Sequence, residues 1–128
     1  MPRNISFALT TPQVVARTKT VTRRFAWWGL KPGDVLCGVK KSMGLRKGEK
    51  VQRLGLIEVV DVRSEPLNAI TAEDVAREGF PEWTPEEFVD FIVTHYRCDR
   101  DKTVNRIEFK YLDALPNPED RAAEGGGE

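Results

Sequence analysis

The longest β-strand pattern in the chain lies near its middle. Residues 51–62 read Val-Gln-Arg-Leu-Gly-Leu-Ile-Glu-Val-Val-Asp-Val, a run dominated by β-branched and other apolar side chains. Such a run favours a strand over a helix, and Pro66 is expected to end it because proline cannot donate to a sheet hydrogen bond. A strand of this length requires neighbouring strands to pair with. The remaining segments are therefore interpreted as partner strands or as helices that pack on the sheet.

Four shorter segments are predicted to supply partner strands or extended backbone. Apolar residues alternate with polar or small ones over residues 4–9 and again over residues 104–112, which is typical of half-buried strands. Residues 35–39 form a short apolar run, and residues 20–22 are β-branched. Short strands that close with the last segment predict a small curled sheet or barrel with helices on one side.

Three helices are predicted from their capping residues. Thr10 or Thr11 begins a short one over residues 13–17, with Pro12 at its first position. Thr71 begins a second that ends at Glu78, just before a glycine, and residues 84–87 (Thr-Pro-Glu-Glu) begin a third. The predicted fold class is therefore α+β.

The length of 128 residues favours one domain, assigned here to residues 1–112. Residues 113–128 are rich in proline, acidic residues and glycine and are expected to be a disordered tail. No apolar run approaches the roughly 18 residues of a membrane span, and no secretory signal is visible, so a cytoplasmic protein without membrane contact is expected. The oligomeric state stays open.

The two cysteines and the one histidine do not suggest a metal site. Cys37 and Cys98 are 61 positions apart, and His95 is the only histidine, so the usual zinc ligands are missing. Both thiols are expected to be structural and buried. No metal and no cofactor are predicted.

Charge is divided unevenly along the sequence. Residues 1–53 hold twelve Lys and Arg against two Asp and Glu (+10), and residues 54–128 hold eight against eighteen (−10). A basic half suggests a surface that contacts RNA. Neutralisation of one half by the other across the fold explains the same asymmetry, and both interpretations stay open.

The basic residues are densest over residues 17–24, which read Arg-Thr-Lys-Thr-Val-Thr-Arg-Arg. Like charges around Lys19 are expected to lower its pKa, and a neutral lysine is a usable base near neutral pH. Thr22, with a hydroxyl near that base, is a candidate nucleophile. Residues 19 and 22 of a straight strand face opposite sides, so shared chemistry predicts a bend at Thr20-Val21. A polar strand with solvated charges remains the simpler interpretation.

Several segments together resemble the ASCH family, a branch of the PUA-like β-barrels. The resemblance extends over residues 4–112 and rests on residues 17–24, 30–36 (Leu-Lys-Pro-Gly-Asp-Val-Leu), 57–59 (Ile-Glu-Val), 70–80 and 107–112. It implies a small PUA-like barrel of about five to six strands with flanking helices. The family includes small bacterial amidohydrolases that remove the acyl group from N4-acetylcytidine and related N4-acylated cytosines, a metal-independent hydrolysis.

The resemblance also selects site residues. The Lys-Thr-x-Thr motif of those amidohydrolases falls on residues 19–22, which implies that Lys19 and Thr22 are catalytic, and the end of the helix over residues 71–79 implies that Glu78 is the third catalytic residue. The candidate substrate-binding residues are Arg24, Thr20, Trp28 and Lys40. Trp28, like its neighbour Trp27, has a ring that can stack on a base, although such residues are more often core.

The sequence departs from that pattern at three places. Arg23 stands where those enzymes carry an apolar residue, Phe25 follows Arg24 where they have an acid, and the basic loop over residues 40–50 is longer than theirs. The expected substrate is therefore a modified nucleoside or base, with RNA bound through the basic 1–53 half as a second partner. A non-catalytic RNA-binding module and a ribonuclease are the alternative functions.

Overall fold

The computed structural model describes residues 2–41, 48 and 50–112 of the chain. Within them the elements follow the order β1 (Arg3–Ser6), a 3₁₀ turn (Ala8–Thr10), α1 (Thr11–Val15), β2 (Val21–Arg24), β3 (Val35–Val39), β4 (Arg53–Pro66), a second 3₁₀ turn (Leu67–Ala69), α2 (Ala72–Arg77), α3 (Pro85–Tyr96) and β5 (Thr103–Tyr111). The predicted tail and most of the basic loop, residues 42–47 and 49, lie outside the described residues.

The strands form one five-stranded sheet in the order β1-β3-β4-β5-β2. β1 runs parallel to β3, and the other neighbours are antiparallel. The central strand, β4, is 14 residues long and shifts register against β5 between Val59 and Asp61. Such a bulge bends a strand and increases its twist, which helps the sheet curl. The α+β class and the small, PUA-like curled sheet with flanking helices are confirmed.

β3 and β5 lie where the sequence predicts them, whereas β4 (predicted over residues 51–62) begins at Arg53 and β2 (predicted over residues 20–22) extends to Arg24. β3 has the predicted bounds, β5 differs from its predicted range by one residue at each end, and β4 ends at Pro66 as expected. The strand predicted over residues 4–9 is wrong after Ser6. Phe7 is buried in the core, but Leu9 is 40% exposed, so the alternating pattern stops describing the chain where it turns into the 3₁₀ helix.

The helix caps were predictable because they depend on neighbouring residues. The Thr71 hydroxyl accepts a hydrogen bond from the Asp74 N–H, and Thr84 forms a complete capping box with Glu87. The first helix stops at Val15, short of the predicted end, and the chain then takes a left-handed turn at Arg17 (φ +61°). That turn redirects the basic segment toward β2.

Two clusters of buried apolar residues form the core. One packs α1 and the segment before β3 against the sheet and consists of Ile5, Phe7, Val14, Leu30, Leu36, Ile57, Val59, Ile107 and Phe109. The second joins α2 and α3 to the sheet and consists of Leu67, Ile70, Val75, Phe88, Val89 and Val104. Cys37 is buried as expected, whereas Cys98 is only partly buried, and both are free thiols.

None of the helices in the described part of the chain is both long enough and apolar enough to cross a membrane.

Candidate active site

The backbone of Lys19 is fixed by three different elements before β2 begins. The N–H groups of residues 18 and 19 donate to the Gln13 carbonyl of α1, at 2.9 and 3.4 Å. The phenol of Tyr111, at the end of β5, donates to the Lys19 carbonyl at 2.5 Å. The next residue, Thr20, donates its N–H to the Arg77 carbonyl of α2 at 2.8 Å. The side chain of Lys19 therefore starts from a well-defined position.

Lys19 and Thr22 line the same cavity, as the predicted bend required. β2 begins at Val21, so Lys19 lies outside the strand and the alternation of strand side chains does not govern it. Thr20 marks the change, because its carbonyl pairs with the Phe109 N–H of β5 whereas its own N–H turns to α2. The chain therefore leaves the strand at Thr20, on the N-terminal side of the Thr20-Val21 bond at which the bend was predicted.

Glu78 meets Lys19 from the C-terminal end of α2. The Lys19 Nζ lies 2.6 Å from Glu78 Oε1 and 2.9 Å from the Glu78 carbonyl oxygen. Both side chains are 3% exposed, so the pair is removed from bulk water. Gly79 follows with φ +107°, a conformation that glycine adopts readily and that turns the chain away from the helix.

Thr22 and Arg24 lie two positions apart in β2 and therefore share a face. The Arg24 Nε donates to the Thr22 hydroxyl oxygen at 2.9 Å, and Arg24 Nη2 donates to the Ser6 carbonyl at 2.6 Å. The Arg24 guanidinium also lies 5.0 Å from the centre of the Phe7 ring. The threonine hydroxyl is thus held beside a permanent cation that is itself fixed by β1.

Arg23 occupies the centre of a buried ion network that the sequence did not predict. Its Nη1 lies 3.2 Å from Glu78 Oε2, and its Nη2 lies 2.7 Å from both Glu65 and Asp74. Asp74 also accepts two hydrogen bonds from Arg106, at 2.6 and 3.0 Å. The opposite charges of the two halves of the sequence could have indicated this network, because a buried arginine needs acidic partners and the acids lie in the second half.

The cavity enclosed by these residues has a volume of about 240 Å³. One wall is polar and comes from β2, the segment before it and the end of α2. Most of the remaining lining is apolar and comes from α3, the segment before it and residues 6–10. The polar wall contains Lys19, Thr22, Arg23, Arg24 and Glu78, and the apolar wall contains Phe80, Phe88, Phe91, Ile92 and Tyr96.

Burial lowers the pKa of Lys19 below its ordinary value. Glu78 opposes that shift through its charge and its hydrogen bond, and the nearby Arg24 and Arg23 charges add to it. Burial likewise lowers the pKa of Arg24, but an arginine remains protonated in proteins. The cavity therefore combines an amine that loses its proton more readily than an ordinary lysine with a guanidinium that keeps its charge.

Three predicted substrate-binding residues lie outside the lining of this cavity. The Thr20 backbone links β5 to α2, as described above, and its side chain is absent from the lining. Trp28 is 51% exposed and Lys40 is exposed at the end of β3. Trp27, by contrast, packs against the core, which is the structural role considered for both tryptophans.

The curled sheet and the cavity beside it define a small PUA-like α+β domain. Solved structures with this fold include a DUF984 family protein from Enterococcus faecalis V583, with a TM-score of 0.63 and 18% identity over 98% of this chain and 83% of that chain. They also include an ASCH domain from Lactobacillus crispatus JV V101, with a TM-score of 0.59 and 14% identity over 85% of this chain and 78% of that chain.

The chain has the fold of an ASCH domain, and the resemblance seen in the sequence is confirmed at the level of the fold. No family model matches the sequence, and no curated protein matches it.

Proposed function

We propose that this protein is a metal-independent amidohydrolase that removes the acyl group from N4-acylated cytosine bases or nucleosides. The observation that carries the proposal is the convergence of three buried side chains, those of Lys19, Thr22 and Glu78, in the lining of one cavity. These three residues are 59 or fewer positions apart but come from different elements. Their roles are those that the resemblance to the ASCH amidohydrolases implies.

The first half of the reaction transfers the acyl group to Thr22. The neutral amine of Lys19 takes the hydroxyl proton, and the threonine oxygen attacks the carbonyl carbon of the substrate amide. The tetrahedral intermediate collapses when the C–N bond breaks, and the leaving exocyclic amine takes up the proton from Lys19, with Glu78 orienting the ammonium group. The free cytosine leaves, and the acyl group remains as a threonine ester.

The second half regenerates the enzyme. Lys19, neutral again, takes a proton from a water molecule while the water oxygen attacks the ester carbonyl. The new intermediate collapses to a carboxylic acid, and Thr22 recovers its proton from Lys19. Arg24 supports both halves because its guanidinium, whose Nε donates to the Thr22 oxygen at 2.9 Å, lies beside the carbonyl carbon under attack and can stabilise the oxyanion that forms on the carbonyl oxygen.

The cavity suits the base rather than a larger portion of a nucleic acid. Its volume of about 240 Å³ is below the roughly 300–1,000 Å³ of clefts that bury a drug-sized ligand. A planar base fits between a polar wall and an aromatic one, since rings stack well on aromatic side chains. A sugar attached to the base would lie toward Tyr96, which is half exposed at the edge of the cavity.

The test is hydrolysis of N4-acetylcytidine by the purified chain, followed by absorbance. We expect Lys19→Ala and Thr22→Val to lower kcat by about 10²-fold or more, which is the usual loss when a general base is removed. Thr22→Ser should retain part of the activity because it keeps the hydroxyl. Lys102→Ala, a change at an exposed lysine that does not line the cavity, is the matched control. No conversion by the wild type, or full activity in Lys19→Ala, would contradict the proposal.

RNA binding is a second candidate, favoured by exposed cations in the first half of the chain. Among the described residues these are Arg3, Arg17, Lys31, Lys40, Lys50 and Arg53. A binding module predicts RNA affinity that falls steeply with salt and does not depend on Thr22. Measuring RNA binding at two salt concentrations, with wild type and with Thr22→Val, separates this function from the hydrolase.

A further inference from the structure

Arg23 contacts Glu78 through the carboxylate oxygen that Lys19 does not contact. Glu78 presents Oε1 to Lys19 at 2.6 Å and Oε2 to Arg23 at 3.2 Å. A carboxylate gripped through both oxygens by two different cations has little freedom to rotate. The arginine side chain is only 2% exposed, so this contact is shielded from solvent.

Arg23 is in turn fixed by acids that do not line the cavity. Its Nη2 is shared by Glu65 and Asp74, each at 2.7 Å, and Asp74 is anchored to β5 by two hydrogen bonds from Arg106. Nε of Arg23 is buried and has no hydrogen-bond partner in the described part of the chain. Arg23 is therefore held through its two Nη atoms, which contact Glu78, Glu65 and Asp74.

We propose that Arg23 is a positioning residue for the Lys19–Glu78 pair: it holds Oε2 of Glu78 so that Lys19 engages Oε1 alone, and its charge offsets the carboxylate beside the amine. This inference rests on the proposed function for its catalytic meaning. The effect of Arg23 on the geometry and charge of Lys19 and Glu78 does not depend on which substrate the protein hydrolyses.

Charged and titratable groups from several elements lie near Lys19. Glu78 after α2 and Arg23 and Arg24 in β2 act on its amine, Tyr111 in β5 donates to its carbonyl, and Tyr96 in α3 lines the same cavity. Glu78 raises the pKa of Lys19, and the two arginines lower it. Removing the Arg23 charge leaves the Glu78 carboxylate less compensated, so the protonated amine becomes more favourable.

The experiment compares Glu65→Gln with the double variant Arg23→Met/Glu65→Gln. The double variant removes one cation together with one acid, so Asp74 keeps Arg106 and Glu78 keeps Lys19 as partners. The titration of Lys19 is followed directly by the ¹³Cε chemical shift of the labelled lysine, without any substrate. We expect the Lys19 pKa to be higher in the double variant than in Glu65→Gln, because the charge of Arg23 lowers it in the wild type.

Enzyme kinetics provide the second measurement. A higher pKa lowers the neutral fraction of Lys19 at a pH below the pKa, about tenfold per pH unit, so the acidic limb of the kcat profile should move upward by the same amount as the pKa while KM changes little. Identical Lys19 titration in the two proteins would overturn the inference. A shifted titration in a protein that hydrolyses no N4-acylated cytosine would support the role of Arg23 and reject the proposed function.

Arg23→Lys keeps the inference testable if the double variant does not fold. A lysine retains the charge but has one nitrogen, so it cannot reach Glu78 and the supporting acids together. We expect Lys19 to titrate nearly as in wild type and kcat to fall about tenfold at unchanged KM, because the carboxylate is no longer fixed. Wild-type kcat in Arg23→Lys would overturn the positioning role.

Discussion

Two opposing influences act on the amine of Lys19. Complete burial favours the neutral form, whereas the carboxylate at 2.6 Å favours the ammonium form. Burial is the larger of the two, and the charges of Arg24 and Arg23 act in the same direction. The balance lowers the pKa, which is the condition that a lysine base requires near neutral pH.

The lowered pKa of Lys19 predicts the pH dependence of hydrolysis. Because the neutral amine is the active form, kcat/KM should rise with pH along a limb whose midpoint lies below the ordinary lysine pKa of 10.5. Lys19→Arg keeps the positive charge but cannot lose its proton, so it should be inactive over the whole pH range. A midpoint at or above 10.5 in the wild type would show that Lys19 is not the base.

Tyr111 predicts an alkaline dependence of stability at the same position. Burial raises the pKa of Tyr111 to about 12, above the value of about 10 in the unfolded chain. The neutral phenol therefore contributes stability that is complete below about pH 10 and is lost as the pH rises through about 12. Its hydrogen bond to the Lys19 carbonyl belongs to that neutral form.

Tyr111→Phe tests this dependence. It should lower the free energy of unfolding by roughly 0.5–1.5 kcal/mol at pH 8, the usual net contribution of a hydrogen bond. It should also remove part of the loss of stability between pH 10 and 12, measured by urea unfolding at several pH values. Tyr96→Phe, at a half-exposed phenol on α3, is the matched control. Equal alkaline slopes in Tyr111→Phe and wild type would reject this explanation.

At the scale of elements, the C-terminus of α2 packs closely against α1 at Gly79. A Cβ added at Gly79 would lie 2.6 Å from Cγ of Gln13 and 2.9 Å from its Cβ, and the backbone there has φ +107°. Gln13 is also the residue whose carbonyl holds the segment leading to Lys19. The same contact therefore positions both Lys19 and Glu78.

Gly79→Ala is expected to disturb that contact. Strain at a positive φ costs roughly 1–3 kcal/mol, and the clash with Gln13 adds to it, so both stability and kcat should fall. The measurements are urea unfolding and hydrolysis of the acylated nucleoside. Gly29→Ala, where an added Cβ meets nothing within 4 Å, is the control and should change neither. A Gly79→Ala protein with wild-type stability would contradict the assigned fit.

Elements that depend on neighbouring residues could be predicted from the sequence. The Thr71 and Thr84 caps and the Pro66 end of β4 are examples, because each depends on residues within a few positions. The end of β1 could not be predicted, since alternation continues through Leu9 while burial does not. The buried network could not be derived either, because Arg23 meets acids that are 42, 51 and 55 positions away.

At the scale of the molecule, the uneven charge of the sequence is partly consumed inside the fold. Lys19 and Arg23 come from the basic half, and their partners Glu65, Asp74 and Glu78 come from the acidic half. The neutralisation of one half by the other is therefore observed for these residues. It leaves fewer cations from residues 17–24 for an RNA surface than the sequence alone suggested.

Asp74 is the acid through which α2, β2 and β5 are joined. Its carboxylate accepts hydrogen bonds from Arg23 at 2.7 Å and from Arg106 at 2.6 and 3.0 Å. Chiefly the Arg106 hydrogen bonds, with help from Arg23 and against burial, hold the pKa of Asp74 well below its usual range. Stability from this carboxylate is therefore complete above the unfolded value of about 3.9 and is lost as the pH falls below it.

Asp74→Asn tests whether this junction holds the molecule together. It leaves two buried guanidinium groups without their shared charge, and breaking a buried ion pair in this way costs roughly 3–5 kcal/mol. Urea unfolding should show that loss at pH 7, and the variant should lose less further stability than wild type between pH 4 and pH 2.5. Asp90→Asn, at an exposed acid paired with Arg100, should stay near wild type at all three pH values. Parallel acid slopes in Asp74→Asn and wild type would mean that other carboxylates govern acid unfolding. The junction would then be important for geometry and not for the pH dependence of the fold.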